Sequence, residues 1–260
     1  MTILLVVAKA PVPGAVKTRL CPPASPLQAA RIAAASLLDT LDTVRATPGV
    51  TPVLALDGRL ADAEESSELT AALTGWRIMP QRGTDLGDRL ANAHADVAAA
   101  HPGRPVLQIG MDTPQLTLTQ LDAAVHRLAL TDAVLGPAVD GGWWALGLRD
   151  PRHAGALRAV PMSTARTGRW TRTALRGQGL RVDPLPLLRD VDNWADALAV
   201  ALLTTEGPTA WPAGTKVRSE RPIPAGPHDA RERRGAVAPR GRFASQVVAV
   251  RSSLLSGIQR

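Results

Sequence analysis

The sequence predicts an α/β protein: a three-layer α/β/α sandwich around a mainly parallel mixed sheet. Three observations lead there. Short apolar runs rich in β-branched residues alternate along the chain with stretches of helical periodicity, the pattern of strands joined by crossover helices. The run Pro105–Gly110 has a strongly apolar centre, as expected of a central strand covered on both faces. The chain is 260 residues long and 45% hydrophobic, without an internal repeat, which is enough to bury one sizeable core.

The elements follow in order. Thr2–Ala8 is a short apolar strand ended by Lys-Ala-Pro. A loop with Pro11, Pro13, Pro22 and Pro23 follows. Ser25, Pro26 and Gln28 then form a capping box with proline at the first helical position. Leu27, Ala30, Ala34, Leu37, Leu41 and Val44 make one apolar face of that helix. Pro52–Leu56 is a second strand, followed by a polar helix around 61–73 and a short strand Trp76–Pro80. Leu86, Leu90, Ala93 and Val97 mark the next helix, and Met111-Asp-Thr-Pro114 ends the central strand. Thr117 and Gln120 cap a helix carrying Leu121, Val125 and Leu128. Ala133–Pro137 and Trp143–Leu148 flank the turn Val139–Gly142, either as a hairpin or as two strands of a mixed sheet. A helix near 168–176, a strand near 180–185 and a last helix from about 193 to 203 complete a body ending at 206.

Charge divides the chain. Residues 1–206 carry 20 basic and 20 acidic residues; residues 207–260 carry 10 basic and 3 acidic, the whole net charge of +7. A neutral body argues against a nucleic-acid-binding domain. The tail, with six Gly and six Pro in 54 residues, reads as disordered, with a short strand or helix possible at 246–255. Its two aromatics, Trp211 and Phe243, are poor grounds for base stacking. No apolar run reaches the ~18 residues of a membrane span, and the N-terminal run Ile3–Ala8 is too short for a signal peptide. The single cysteine, Cys21, excludes an internal disulfide and fits a cytoplasmic protein.

Ligands of open α/β sheets bind beyond the carboxyl ends of the parallel strands. Four loops at that edge carry charge or glycine: Lys9–Arg19, Gly110–Pro114, Val139–Gly142 and Asp190–Asp192. The first presents Lys9, Lys17 and Arg19 on a proline-stiffened backbone around Gly14, cations suited to phosphate oxygens. It is not a P-loop, because Val16 precedes Lys17. A solvated loop explains it equally well. Asp112 stands where a carboxylate can hold Mg²⁺ or Mn²⁺ beside phosphates, or bond its own turn. Asp190 and Asp192 point the same way if their segment is extended, and Asp192 also suits a helix N-cap. Asp140-Gly141-Gly142 lets backbone approach a ligand, or simply turns a hairpin. Of Trp143 and Trp144, on opposite strand faces, one belongs to the core. The five histidines lack zinc-site spacing, and neither a nucleophile elbow nor a Gly-x-Gly-x-x-Gly fingerprint is present. The roles of Trp76, Arg89 and Asn92 stay open.

Six motifs occur in order: Lys9-x-Pro-x-Pro-Gly-x-Val-Lys-Thr-Arg-Leu20, Gln81-x-Gly-x-Asp-Leu-Gly-x-Arg89, Gly110-x-Asp-x-Pro114, Gly136-Pro-x-x-Asp-Gly-Gly-Trp143, Met162-Ser-Thr164 and Asp190-Val-Asp192. Together they resemble the bacterial family of glycosyltransferase-A-type transferases first described only by a domain of unknown function, also called radical-SAM/selenodomain-associated transferases. The resemblance spans residues 2–204. It implies the nucleotide-diphospho-sugar transferase fold, with a nucleotide and divalent-metal site. On this chain Asp112 would be the principal metal ligand and Asp192 a weaker one, with Lys9, Lys17 and Arg19 holding phosphates; the residue reading adds Gly14, Gly141 and Gly142 to that phosphate-binding set. The first loop and the Asp-Gly-Gly turn also resemble phospholactate guanylyltransferases. Met111 and Thr113 replace the family's usual Ser or Cys, and Trp143 its usual Tyr, which leaves substrate identity open.

These readings combine into a Mg²⁺- or Mn²⁺-dependent transferase acting on a nucleotide or nucleotide-sugar and a small-molecule acceptor, with Asp112 and Asp140 at the reacting centre. Family naming favours glycosyl transfer, and the cationic first loop favours nucleotidyl transfer from a triphosphate. Glycosyl transfer ranks first on the resemblance. A non-catalytic nucleotide-binding protein is the third reading. Oligomeric state is not legible.

Overall fold

The computed structural model describes residues 1–203 and 241–258. Seven strands form one sheet: β1 (Thr2–Lys9), β2 (Val50–Asp57), β3 (Arg77–Pro80), β4 (Val106–Gly110), β5 (Ala133–Pro137), β6 (Trp143–Leu148) and β7 (Val182–Pro184). Their order is β3-β2-β1-β4-β6-β5-β7. β1 pairs in parallel with β2 (Leu5↔Val53) and β4 (Leu5↔Gln108). β6 lies antiparallel between β4 and β5, and β7 is parallel to β5. Both expectations for the 133–148 pair thus hold together: it is a hairpin set inside a mixed sheet. Pro52 lies within β2 but before β3 begins to pair at Val53↔Arg77, so its missing N–H breaks no ladder bond on that side.

The helices are α1 (Pro26–Ala46), α2 (Ser66–Ala72), α3 (Leu86–Ala100), α4 (Leu118–Ala129), α5 (Thr167–Gly177), α6 (Trp194–Leu203) and α7 (Arg242–Ile258). Both expected capping boxes form, Ser25 with Gln28 and Thr117 with Gln120. On one sheet face α1 and α4 bury Leu37, Leu41, Leu121 and Leu128 against Leu4, Val6, Leu54, Leu107 and Ile109. On the other, α3 packs Ala93 and Val97 onto Ile3, Leu5, Val53 and Val106. A 3-10 segment, Pro151–Ala159, and α5 extend that layer through Leu157 and Leu175, against Leu135, Leu146 and Leu148. The 3-10 segment is capped by Asp150 and opened by Pro151, a local start signal that went unread in the sequence. Its fit is steric: a Cβ on Gly87 of α3 would stand 2.6 Å from Leu157 O.

α1 is buried on more than the expected face. Leu27 is 41% exposed, while Ala29 and Ile32 pack into a second cluster with Ala197 and Val200 of α6 and Phe243, Ala244, Val247 and Val250 of α7. The division at 206 therefore does not describe the packing: residues 242–258 form a helix that covers α1. Expected disorder over 207–240 falls outside the described residues. Asp39 of α1 caps the start of α7, accepting from Arg242 N at 3.1 Å and Phe243 N at 2.9 Å. Arg242 itself pairs with Asp42 at 2.6 Å and Glu68 at 3.0 Å. Burial raises the Asp39 carboxyl above its ordinary range, although these donors pull it down.

Phe243 is 1% exposed. Its truncation to Ala is expected to cost about 3–5 kcal/mol, a fall in Tm on the order of 10 °C for a domain of this size. Leu255, 59% exposed on the same helix, should tolerate Ala within about 0.5 kcal/mol. Thermal denaturation of both variants reads the contrast; equal Tm values would mean that α7 does not pack on α1 in solution.

Candidate functional site at the carboxyl edge of the sheet

In-register pairing brings Lys9, Asp57 and Gly110 to one sheet edge, and the loops leaving it enclose a cleft of about 420 Å³. Its charged lining consists of Arg19, Asp112, Asp140, Asp190 and Asp192, each from a loop after a strand. Gly142, Trp143, Met162, Ser163 and Thr164 line it too. The expected gathering of the four loops at one edge is what the sheet topology produces.

The first loop folds back on the others. Val16 and Leu20 are buried, and Lys17 between them takes a left-handed backbone, φ 49°, uncommon for a residue with a side chain. That turn sends the Lys17 side chain inward, only 9% exposed, with Nζ 2.6 Å from Asp112 Oδ1. The ammonium also donates to Val191 O at 2.5 Å. Arg19 pairs with Asp192 at 2.5 Å. Val191 N donates to Asp112 O at 2.9 Å, and the Val191 side chain is buried. Its neighbours Asp190 and Asp192 therefore both turn to the cleft, as alternation in an extended segment requires. Lys9 is exposed and makes no ion pair with a described residue. Neither Lys9 nor Gly14, which is exposed at φ +77°, lines the cleft.

The Asp140 turn is braced from behind. Asp140 Oδ1 accepts from Gly142 N at 2.7 Å. Gly141 has φ +90°, and a Cβ there would lie 2.1 Å from Ala165 O. The close backbone approach that glycine permits is thus to the chain's own 163–168 segment; Gly142, not Gly141, faces the cleft. Trp143 and Trp144 divide as expected. Trp144 is buried and donates to Pro186 O at 2.9 Å. Trp143 stays partly open on the cleft and donates to Thr171 Oγ1 at 3.2 Å. Arg89 pairs with Asp57 at 2.9 Å, Asn92 accepts from Arg158 at 2.7 Å, and Trp76 packs on the core. All three have structural partners.

Four carboxylates against Arg19 and Lys17 leave the mouth with an excess of negative charge. Asp190 registers it: burial first, then the charges of Asp140 and Asp192, push its pKa up to about 6. The donor set fits a hard divalent cation. Asp112 Oδ1 is enclosed, with the Lys17 ammonium near it but no aligned hydrogen bond. Among the described residues no three acidic, His or Cys side chains stand close enough to enclose an ion alone. Mg²⁺ needs only one or two carboxylates when phosphates and water complete its shell.

One polar residue set into the cleft went unnoticed in the sequence. Gln108, from β4, lines it at 2% exposure, and its Oε1 accepts from Nε2 of the buried His94 at 2.9 Å. The available signal was a lone amide inside an apolar strand, Val-Leu-Gln-Ile-Gly.

Comparison with known proteins agrees with this architecture. The model of a family described as "Uncharacterized protein conserved in bacteria (DUF2064)" matches residues 40–164, in accord with the family that the motifs resemble. A candidate nucleotide-diphospho-sugar transferase from Desulfovibrio desulfuricans G20 superposes with a TM-score of 0.71 at 25% identity, over 80% of this chain and 90% of that one. A 4-diphosphocytidyl-2C-methyl-D-erythritol synthase superposes at 0.50 and 14% identity, over 78% and 97%. No curated protein matches the sequence significantly. The chain has the nucleotide-diphospho-sugar transferase fold.

The raised Asp190 pKa fixes a pH dependence. The stability held by its protonated form is complete below the unfolded value, near about 3.9, and is lost as pH rises through about 6. Asp190→Asn should therefore gain Tm over wild type at pH 8 but not at pH 4. Asp140→Asn removes a neighbouring charge and should lower the Asp190 pKa, read by carboxyl-carbon NMR titration; an unmoved pKa would show that the two carboxylates do not face each other.

Proposed function

We propose that the protein is a divalent-metal-dependent transferase that uses an activated nucleotide, with glycosyl transfer from a nucleotide-sugar donor as the leading reaction. One observation carries this reading: the excess of carboxylates over cations at the mouth of a cleft on this fold. A nucleotide diphosphate entering that cleft without a cation would meet net repulsion. Asp112 and Asp192 would hold Mg²⁺ or Mn²⁺. When bound, the ion neutralises diphosphate oxygens and lowers the barrier to their departure.

The chain's own residues divide the remaining work. Ion pairing to Asp192 already brings the Arg19 fork to the mouth, where it can take phosphate oxygens bidentately. Lys17, freed of part of its partner's charge, supplies a second cation from the floor of the first loop. Lys9, exposed beside them, can reach a distal phosphate. Asp140, aligned by Gly142 N–H, orients an acceptor hydroxyl. Asp190, with a pKa of about 6, is the better-tuned proton acceptor near neutral pH. In the glycosyl reaction the acceptor oxygen bonds to the anomeric carbon as the bond to the diphosphate breaks, and the hydroxyl proton passes to a carboxylate. A nucleoside diphosphate leaves.

Nucleotidyl transfer is the second reading, favoured by three cations in one loop. Two of them are already paired with carboxylates, which reduces the charge available for a triphosphate. Non-catalytic nucleotide binding is the third. A cytoplasmic location belongs to the same proposal, since nucleotide donors are met there; among the described residues no helix is long and apolar enough to cross a membrane.

A thermal-shift panel of nucleoside triphosphates and sugar nucleotides, with and without Mg²⁺ or Mn²⁺, tests the proposal. A ligand at 100 times its Kd raises stability by about 2.7 kcal/mol. The expected result is a metal-dependent shift with one sugar nucleotide, lost in Asp112→Asn, and turnover reduced on the order of 100-fold or more in that variant. A shift with triphosphates only moves the assignment to nucleotidyl transfer. Binding without turnover leaves the third reading, and no shift with any nucleotide sinks all three.

A further inference from the structure

The cleft has two chemically different parts. Every charged residue lining it belongs to a loop at its mouth. Below them, on the α3 side of the sheet, Val7, Leu90, Trp143 and Met162 form one contiguous apolar wall; Gln108 is the amide set into the sheet beside it, and the hydroxyls of Ser163, Thr164 and Thr167 come from the 163–168 segment. Gly110 lies two residues along β4 on the same face. A Cβ there would meet only Asp112 N, at 3.9 Å, so nothing crowds the sheet face at Gly110, between Asp112 and Gln108.

Gln108 is held in one orientation from behind. Its Oε1 can only accept, so the 2.9 Å contact with His94 makes Nε2 of that ring the donor. His94 is fully buried, its Nδ1 has no partner, and burial drives its pKa down to about 4. The ring is therefore neutral at physiological pH, and no charge backs the floor. With Oε1 committed to His94, the amide nitrogen of Gln108 is left as the donor; among the described residues no acceptor meets it.

We infer that this floor is the acceptor subsite, and that it takes an uncharged, largely apolar group bearing one hydrogen-bond-accepting oxygen, read by Gln108 Nε2. A carboxylate or ammonium there would be desolvated against apolar walls with no counter-charge, a cost that a single amide cannot offset. A group without an oxygen would leave the amide N–H unpaired, which a built donor penalises. Naming the occupant the acceptor rests on the transferase reading; the chemistry of the floor does not.

The test uses the full chain labelled with ¹³C and ¹⁵N, in which the Gln108 side-chain amide signal is assigned in the wild-type protein through its own side-chain carbons. Four probes of equal bulk are titrated: cyclohexanone, cyclohexanol, cyclohexylammonium and cyclohexanecarboxylate. The two neutral probes should shift the Gln108 signal, the two ions should not, and Gln108→Leu should weaken cyclohexanone binding about tenfold, the worth of one hydrogen bond of ~1.4 kcal/mol. An equal response to either ion, or none to the neutral probes up to their solubility limit, overturns the inference, and neither result depends on the variant folding. Metal-nucleotide binding, lost in Asp112→Asn, is scored separately. If it fails while the Gln108 response holds, the transferase reading falls and the neutral subsite stands; the converse removes the subsite alone.

Discussion

The Lys17 ammonium joins segments that are far apart in the chain. It meets the carboxylate of Asp112, after β4, and the carbonyl of Val191, before α6. Val191 N then closes the arrangement on Asp112 O. Removing this tie would leave two carboxylate-bearing loops and a basic loop without a shared register, although the sheet beneath would be intact. Its cost is visible in the backbone: Lys17 holds a left-handed conformation to turn its side chain inward. The elevated Asp190 pKa has a different origin: burial first, then the charges of Asp140 and Asp192, while the Lys17 ammonium pulls it down. The tie thus sets the geometry of the mouth, and its ammonium moderates the negative charge gathered there.

Much of this was legible in the sequence, for physical reasons that differ by residue. β1 and β4 announce themselves because strands covered on both faces must be apolar at nearly every position. Ser25 and Thr117 could be read as caps because the capping box is a local interaction, complete within four residues. Asp190 and Asp192 could be placed on one side because alternation in extended chain needs no tertiary information. The roles of Lys17 and Gly141 were not legible. Whether a lysine in a loop faces solvent or a carboxylate 95 residues away is decided by packing. Gly141 looked like a ligand-facing glycine, yet it makes room for Ala165, a neighbour that only the folded chain supplies.

α7 was read only as a short strand or helix within 246–255, and Gln108 was missed, for opposite reasons. α7 begins just beyond a long Arg-, Pro- and Gly-rich stretch, whose composition outweighed a modest apolar face of Phe243, Ala244, Val247 and Val250. Much of its stability comes from α1, through Asp39 and the buried phenyl ring, so local propensity understates it. Gln108 was in plain view as one amide among aliphatic residues. Its meaning depends on His94, fourteen residues earlier on another element, which fixes the side chain's orientation.

The two halves of the molecule meet behind the site. The cluster that receives Phe243 also contains Leu20 and Val191. Leu20 follows Arg19 directly, and Val191 separates Asp190 from Asp192, so the hydrophobic anchors of both charged loops share one core with the C-terminal helix. Interiors are close-packed and transmit strain rather than absorbing it. A void left beneath Phe243 would loosen the seats of Leu20 and Val191, and with them the Arg19–Asp192 and Lys17–Asp112 pairs. By this route a helix that contributes no side chain to the lining of the cleft helps to set the spacing of its charges. The sequence boundary between a catalytic body and an appended tail disappears in the packing: α7 is a supporting wall of the site.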